Sequence, residues 1–359
     1  MAASTIFELG CSGVDRRVAQ ELLDVLTCKG YCYVRTPSIS LGPRAGRHDI
    51  RQRARWLFHH HGLLTPSQQE VLKSPFGFRG YYRYVGASGS KDEIECFSVG
   101  KDVENPLSLR EPYFRRRGWS AEDYTPMLAR SNSWPDATMM AEAVDFRRDV
   151  NGFYEECHEL SMACLRHLAV GLGIPDAECF TKLHSNRDNN LELKYYPDPS
   201  KLSEFLEVKS PKKSKILRRT SEGIRMLSGS SQARNVDQPN FYPPSTQERL
   251  ASHEDLSSVT LLAQDKLGGL EVLNQLTDEY EAVPVLEDAL LLNGGIFLDK
   301  WTSGAIQATP HRVRFRSDAG DRCSVVYFTF PNFDGFIEPF PCDGSSGPSF
   351  FAGDLMPTP

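Results

Sequence analysis

The stretch that decides the fold is SHEDLSSVTLLAQDKLGGLEV, residues 252–272. It places His253 and Asp255 two positions apart, before a run of β-forming residues at 259–262 and a glycine pair at 268–269. Residues two apart on a strand lie on the same face, so this imidazole and this carboxylate can reach one metal ion while Glu254 points away. The glycine pair predicts a hairpin turn. Taken alone, a His-x-Asp pair is a weak motif.

A third candidate ligand, His311, lies in TPHRVRF at residues 309–315. There Val313 and Phe315 alternate with arginines, which is typical of a strand with one buried face. Two histidines and one carboxylate leave three coordination positions open, as in the Fe(II) oxygenases. A structural zinc site would close its fourth position with Cys or His. We therefore predict an iron site.

Eleven residues beyond that histidine, Arg322 and Ser324 again share one strand face. A guanidinium can bind a carboxylate through two hydrogen bonds, and a neighbouring hydroxyl adds a third. The pair predicts a binding site for the far carboxylate of a dicarboxylate co-substrate whose keto-acid end chelates the iron. The alternative is an arginine in a salt bridge at the protein surface.

The N-terminal half predicts helices. A first helix over 12–29 would be capped by Ser12 together with Asp15 and stopped by Gly30, with a short strand at 31–34 after it. The apolar spacing from 141 to 172 predicts one long buried helix, and residues 44–73 are helical in character but charged. The glycines and aromatics of residues 74–100 favour loops and turns over a regular element.

The C-terminal half predicts short strands, at 191–196, 259–262, 270–273, 295–298, 312–316 and 324–330. Strands that follow a helical half indicate an α+β fold with a mainly β core, with helices packed on a sandwich or jelly roll. We predict an N-terminal region over 1–180, a catalytic core over 181–342 and an irregular tail over 343–359. The basic, serine-rich segment 200–245 is an insertion that serves either as a lid or as a solvated loop.

Composition narrows the class of protein. The 359 residues carry a formal net charge of −6, which disfavours a nucleic-acid-binding surface. No apolar run is as long as a membrane helix, and the first residues do not resemble a secretory signal. The nine cysteines include no CxxC pair, so we expect reduced thiols and a cytoplasmic protein. The sequence does not indicate an oligomeric state.

Several segments together resemble the 2-oxoglutarate/Fe(II) oxygenases related to isopenicillin N synthase, a group with many plant and fungal natural-product oxidases. The resemblance is strongest over 191–340. The matching segments are LELKYYPDP at 191–199, residues 252–272, DKWTSGAIQATPHRV at 299–313, RCS at 322–324 and, more distantly, GYYRYVGASGSKDEIECFSVG at 80–100. Tyr196 matches the tyrosine that binds the co-substrate in this group. Lys194 departs from the family pattern, because it stands where an asparagine is usual.

The resemblance implies a double-stranded β-helix, a jelly roll flanked by N-terminal helices. It also implies Fe(II), 2-oxoglutarate and O2 as cofactor and co-substrates, and oxidation of a C–H bond in a small secondary metabolite with release of succinate and CO2. The outcome could be hydroxylation, desaturation or ring rearrangement. Three alternatives stay open: an iron oxidase of the same fold that needs no co-substrate, a zinc or manganese hydrolase or isomerase, and a non-catalytic ligand-binding protein.

Aromatic residues near the predicted site could line an apolar substrate pocket. They could also be ordinary core residues, and we favour this second interpretation because aromatic side chains make up much of the buried area of proteins. These candidates are Phe78, Tyr81, Tyr82, Phe333 and Phe336.

Overall fold

The computed structural model describes residues 6–10, 13–35, 50–74, 78–85, 93–102, 115–116, 118, 131–198, 246–274, 277–316, 320–341 and 347–355. The predicted insertion at 200–245 therefore lies outside the described residues. Two β-sheets face each other, and helices cover the outer side of the larger sheet. The prediction of an α+β fold with a mainly β core agrees with this arrangement.

The strands, in chain order, are β1 Ile6–Glu8, β2 Tyr31–Arg35, β3 Gly80–Val85, β4 Glu93–Val99, β5 Asn190–Tyr196, β6 Thr246–His253, β7 Val259–Gln264, β8 Leu270–Asn274, β9 Glu279–Ala282, β10 Leu290–Gly294, β11 His311–Arg316, β12 Arg322–Thr329, β13 Phe336–Ile337 and β14 Phe350–Phe351. The larger sheet has the order β1-β2-β10-β7-β12-β5-β4-β3, and the smaller has the order β6-β11-β8-β9. Only β1 and β2 run parallel among these strand pairs. The larger sheet thus combines strands from before and after residue 180.

From β5 to β12 the chain alternates between the two sheets. β5, β7, β10 and β12 belong to the larger sheet, whereas β6, β8, β9 and β11 belong to the smaller one. Apolar side chains from the facing sides of both sheets form a common core, including Leu262, Leu291 and Val326 from the larger sheet and Val272 and Val313 from the smaller. The space between the sheets is where the predicted ligands meet.

The helices are α1 Arg16–Lys29, α2 Ile50–His61, α3 Pro66–Leu72, α4 Ala143–Gly171 and α5 Ile296–Trp301. Asp15 caps α1 through the backbone N–H groups of Arg17 and Val18, and Gly30 ends it in the left-handed conformation. The 29 residues of α4 present a continuous buried stripe to the larger sheet and to α1. In the part of the chain that the structure describes, no helix is long and apolar enough to cross a membrane.

Residues 74–100 were expected to form loops and turns, and for two parts of this stretch the expectation is wrong. Gly80–Val85 and Glu93–Val99 form the antiparallel pair β3–β4, which extends the larger sheet beside β5. Both sides of β4 are buried, with Ile94 and Cys96 facing the smaller sheet and Phe97 and Val99 packed toward the helices. A strand covered on both sides loses the alternation of polar and apolar residues that sequence reading depends on.

Two further predictions in the C-terminal half are wrong. The strand expected at 295–298 is the start of helix α5, and the strand is the apolar run just before it, β10. Gly268 and Gly269 do turn the chain, with φ of 64° and 86°, but they join no hairpin. The strands on either side, β7 and β8, lie in different sheets, so this turn carries the chain across the core.

The tail is not wholly irregular. Phe350–Phe351 pairs with β13, and a 3₁₀ helix follows at Ala352–Leu355 with Ala352 buried. Burial of apolar residues such as Ala352 holds this part of the tail on the fold.

Candidate metal centre

His253, Asp255 and His311 come together between the two sheets. One ligand atom from each lies within 4.8 Å of the others, and this is the one group of three potential metal ligands found in the described part of the chain. The Nε2 atoms of His253 and His311 lie 3.8 Å and 3.6 Å from Asp255 Oδ1. His253 ends β6 and His311 begins β11, and the two residues are register partners. Asp255 lies just after β6 and not on the strand.

Both imidazoles are oriented by the backbone. His253 Nδ1 donates to the carbonyl of Ala251 at 2.9 Å, and His311 Nδ1 donates to the carbonyl of Thr309 at 2.9 Å. A carbonyl only accepts, so Nδ1 carries the proton in both rings and Nε2 presents its lone pair to the site. Fixing the tautomer through the second nitrogen is how metal-binding histidines are generally held.

Asp255 is buried and held by hydrogen bonds. Asn293 donates from Nδ2 to Asp255 Oδ2 at 3.1 Å, and Thr260 also bonds the carboxylate. Burial alone would raise the pKa of Asp255, but the nearby His311 and His253 and these hydrogen bonds outweigh it, so the pKa is lowered. Burial and the proximity of His311 lower the pKa of His253 to about 3. A carboxylate and unprotonated imidazoles are the forms that bind a metal ion.

Helix α5 fixes the backbone of the ligand loop. The N–H of Ile296 donates to the carbonyl of Asp255 at 2.9 Å, and the N–H of Phe297 donates to that of Ser257 at 3.0 Å. Gly295 lies so close that an added Cβ would come within 2.3 Å of the Ser257 carbonyl oxygen and 2.8 Å of the Asp255 carbonyl oxygen. Only glycine allows this close approach of helix and loop.

Arg322 and Ser324 lie on β12, on the same inner face of the larger sheet. Arg322 is fully buried; its Nε donates to the carbonyl of Gly268 at 2.6 Å, and its Nη1 donates to Ser324 Oγ at 3.2 Å. Its Nη2 is buried without a hydrogen-bond partner among the described residues. Tyr196 is the register partner of Arg322, whose guanidinium lies 4.7 Å from the centre of the tyrosine ring.

These residues fit the groups that the sequence predicts. Two imidazole nitrogens and a carboxylate oxygen within one small span suit a divalent metal ion such as Fe(II) and leave further positions for other ligands. A buried guanidinium nitrogen without a partner is costly unless an acceptor binds it, and a carboxylate would satisfy it.

The five aromatic pocket candidates occupy different places. Tyr82 lies on the inner face, where its hydroxyl donates to Glu192 Oε1 at 2.8 Å. Tyr81 lies on the opposite face and stacks on His61 of α2, and Phe333 is part of the same helix-side core. Phe336 is 48% exposed and packs on Phe351 of the tail. Phe78 is half-buried before β3.

Asn293, Gly295 and Glu192 were not singled out from the sequence. Asn293 sits in the apolar run LLLNGG, and a polar residue inside a buried strand was a usable signal, since such residues need a partner. Gly295 and Glu192 act through contacts with distant segments, so nothing local in the sequence indicated them.

Known proteins are similar to this chain in sequence. Residues 233–331 match the family model of the 2OG-Fe(II) oxygenase superfamily, a span that includes the three candidate ligands, Arg322 and Ser324. The 2-oxoglutarate-Fe(II) type oxidoreductase ppzD of Metarhizium majus is 29% identical over 70% of this chain and 62% of its own length. Isopenicillin N synthase of Streptomyces clavuligerus is 24% identical over 92% of this chain and 84% of its own length. The chain spans only about three fifths of the length of the ppzD relatives, 62% and 61%.

Solved structures share the fold. A full-length Neurospora crassa protein, crystallised in complex with α-KG and thymine, has a TM-score of 0.63 at 22% identity, covering 95% of this chain and 89% of that one. The dioxygenase for auxin oxidation of rice has a TM-score of 0.57 at 16% identity, covering 98% of this chain and 92% of that one. In sequence this chain is similar to 2-oxoglutarate/Fe(II) oxygenases and to isopenicillin N synthase, and in fold it is similar to these solved structures.

Proposed function

We propose that this protein is an Fe(II)- and 2-oxoglutarate-dependent dioxygenase that oxidises a C–H bond of a small organic molecule. The observation that carries the proposal is the pairing of two features in one core: three metal-ligand atoms within 4.8 Å of one another, and a buried arginine nitrogen without a partner among the described residues. The alternation of β5 to β12 between two facing sheets supports the interpretation of the fold as a double-stranded β-helix.

In this proposal His253, Asp255 and His311 hold the iron. The backbone carbonyls of Ala251 and Thr309 keep both Nε2 atoms directed to it. Asn293 occupies one oxygen of Asp255, which leaves Oδ1, the oxygen nearest to both imidazoles, for the metal. Bound there, the iron would supply the oxidising chemistry, using O2 and 2-oxoglutarate and releasing succinate and CO2.

Arg322, Ser324 and Tyr196 bind the far carboxylate of 2-oxoglutarate in this proposal. The Gly268 carbonyl holds the guanidinium at Nε and Ser324 bonds its Nη1, so Nη2 is left for the carboxylate. The Tyr196 ring lies against the guanidinium and restricts its position. A dianionic co-substrate is thereby oriented with its other end free to reach the metal.

The small-molecule substrate and a place in secondary metabolism are supported by the names of the relatives. They include isopenicillin N synthase, the proline hydroxylase buaE of Petromyces alliaceus and the dioxygenase citB of Monascus ruber. These names cover different reactions, so hydroxylation, desaturation and ring rearrangement are all compatible with the proposal.

An anaerobic titration tests whether the protein binds Fe(II) and 2-oxoglutarate together, as the proposed function requires. The full chain, loaded with Fe(II) under argon, is titrated with 2-oxoglutarate, and we expect a weak visible charge-transfer band that zinc in place of iron does not give. His253→Ala should lose the band. His60→Ala should keep it, because His60 is a half-buried histidine of α2 whose Nδ1 bonds the Trp56 carbonyl. Iron binding without any response to 2-oxoglutarate would favour a co-substrate-independent oxidase. Failure to bind iron would overturn the proposal.

A further inference from the structure

Lys194 is a cation on the inner face of the larger sheet, close to the metal centre. It shares that face with Tyr196, two residues along β5, and its register partner on β12 is Ser324. Its side chain is only 14% exposed. The charge of Lys194 acts on both Asp255 and His253, so the ammonium lies within electrostatic reach of the metal ligands.

The Lys194 ammonium is charged, and not all of its N–H donors have an acceptor among the described residues. Burial lowers the pKa of Lys194, but Glu192 and the other negative groups around it outweigh this, and the pKa is raised. Nζ lies 3.1 Å from Glu192 Oε2 and 5.2 Å from the centre of the Phe328 ring. Among the described residues Glu192 is its one carboxylate partner. An ammonium has three N–H donors, so two are left for another acceptor.

Glu192 is held in place by other residues. Its Oε1 accepts from the Tyr82 hydroxyl at 2.8 Å and from Asn190 Nδ2 at 3.0 Å, while Oε2 faces Lys194. Asn190 Oδ1 accepts in turn from Ser98 Oγ at 2.7 Å and from Arg79 Nη1 at 2.9 Å. This buried network fixes the carboxylate, and the carboxylate fixes Lys194.

Neither end of 2-oxoglutarate requires Lys194. In the proposed function the far carboxylate binds Arg322, Ser324 and Tyr196, and the keto-acid end binds the metal. Lys194 is the inward-facing residue that precedes Tyr196 on β5, on the side of Glu192 and Tyr82. A buried cation with free donors suits an anionic oxygen brought by another molecule.

We propose that Lys194 binds a carboxylate of the primary substrate, so that the substrates of this enzyme are small carboxylic acids. This inference rests on the proposed function and adds the substrate class to it. The Glu192–Tyr82–Asn190 network positions the ammonium, and the substrate carboxylate takes its remaining N–H donors. The C–H bond to be oxidised is then placed relative to the metal by the distance from that carboxylate.

The test compares acids with their uncharged amides. The full chain, loaded with Zn(II) so that no turnover occurs, is titrated calorimetrically with benzoate, hexanoate and N-acetylproline and with the primary amide of each, with and without 2-oxoglutarate. We expect at least one acid to bind about tenfold or more tightly than its amide, because a hydrogen bond to a charged group contributes that much. Lys194→Arg should keep the preference, and Lys194→Met should abolish it.

Two further variants distinguish a specific loss of the acid preference from a folding defect. Lys194→Met with Glu192→Gln removes both charges of the buried pair and should also lose the preference while it stays folded. Lys182→Met removes an exposed lysine paired with Asp176 and should change nothing. Equal acid preference in all variants, or no preference in the parent protein, would overturn the inference.

The carboxylate that binds Lys194 could belong to the primary substrate or to 2-oxoglutarate, and titration with 2-oxoglutarate itself distinguishes the two. Its affinity should be unchanged in Lys194→Met and reduced in Arg322→Ala. If Lys194→Met instead weakens 2-oxoglutarate binding and leaves the acid preference intact, Lys194 serves the co-substrate and the inference is wrong. A parent protein that prefers acids but binds no 2-oxoglutarate would refute the proposed function and not the assignment of Lys194.

Discussion

At the scale of single residues, the proposed metal centre depends on groups that are not themselves proposed ligands. Asn293 donates to Asp255 Oδ2, which is not the oxygen proposed to bind the metal. The carbonyls of Ala251 and Thr309 orient the two imidazoles. Such supporting contacts determine how much of the binding free energy is lost to reorganising the ligands when the metal arrives.

Asn293→Ala should therefore weaken metal binding without removing a ligand. We expect the affinity for Co(II), used as an air-stable probe, to fall about ten- to a hundredfold. Asn151→Ala is the matched control, because Asn151 is an asparagine that bonds an aspartate, Asp102, outside the site. Unchanged Co(II) affinity in Asn293→Ala would show that Asp255 is oriented without it.

Asp255→Ala removes a ligand and should have the larger effect. We expect no measurable succinate formation from 2-oxoglutarate because one of the three proposed ligands is lost, and we expect folding to be retained because the substitution removes a buried charge and introduces none. Circular dichroism provides the folding control. Turnover of 2-oxoglutarate at the parent rate would rule out this residue as a ligand.

Arg322→Lys keeps the charge but loses the planar donor pair, and Gly268 then loses its partner at Nε. The concentration of 2-oxoglutarate needed for half-maximal succinate formation should rise about tenfold or more, because a hydrogen bond to a charged group is lost. Arg166→Lys, in an ion pair with Glu178 away from the site, is the control. An unchanged requirement would show that the co-substrate binds elsewhere.

At the scale of elements, the convergence of His253, Asp255 and His311 could be predicted from the sequence because the pattern behind it is local. A His and an Asp two apart need only a short extended segment to converge, and the strand pattern around His311 is visible in the residues themselves. The strands β4 and β10 were missed or misplaced because both of their faces are buried, which removes the alternation that marks a strand. The crossing at Gly268–Gly269 was misread because strand pairing is not a local property.

The junction between β10 and α5 is the element on which the ligand loop rests. Gly295 has φ of −118°, which any residue can adopt, so a side chain there is excluded by space alone. Gly295→Ala should lower the free energy of unfolding by about 1–3 kcal/mol, as overpacking usually does, and should weaken Co(II) binding as the Asp255 carbonyl is displaced. Urea unfolding and a Co(II) titration measure both effects.

Gly347→Ala is the control for that substitution, since the nearest atom to its added Cβ, on Pro339, is 3.9 Å away. It should be neutral in both measurements. A Gly295→Ala protein with unchanged stability and unchanged Co(II) affinity would mean that the loop can shift freely, contrary to the fixed backbone hydrogen bonds from α5.

At the scale of the whole molecule, the stability of the fold should depend on pH through one buried histidine, His184. His184 is 1% exposed, its Nδ1 bonds the Phe180 carbonyl at 2.7 Å, and its Nε2 lies 3.1 Å from Ser258 Oγ. Burial lowers the pKa of His184 from 6.5 to about 4. The imidazole is therefore unprotonated in the folded protein over a pH range where the unfolded chain binds a proton.

Since the unfolded state binds more protons between pH 6.5 and 4, the free energy of unfolding should fall as the pH falls through that window. The contribution of His184 to the free energy of unfolding is complete above pH 6.5. About 2 kcal/mol of this contribution should be lost by about pH 5. Urea unfolding of the parent protein and of His184→Gln at pH 7.5, 6.0 and 5.0 measures it. The parent should lose more stability than the variant over this range, because the other titrating groups are common to both. Equal losses would show that His184 becomes protonated without unfolding the protein, and that its burial does not hold it neutral.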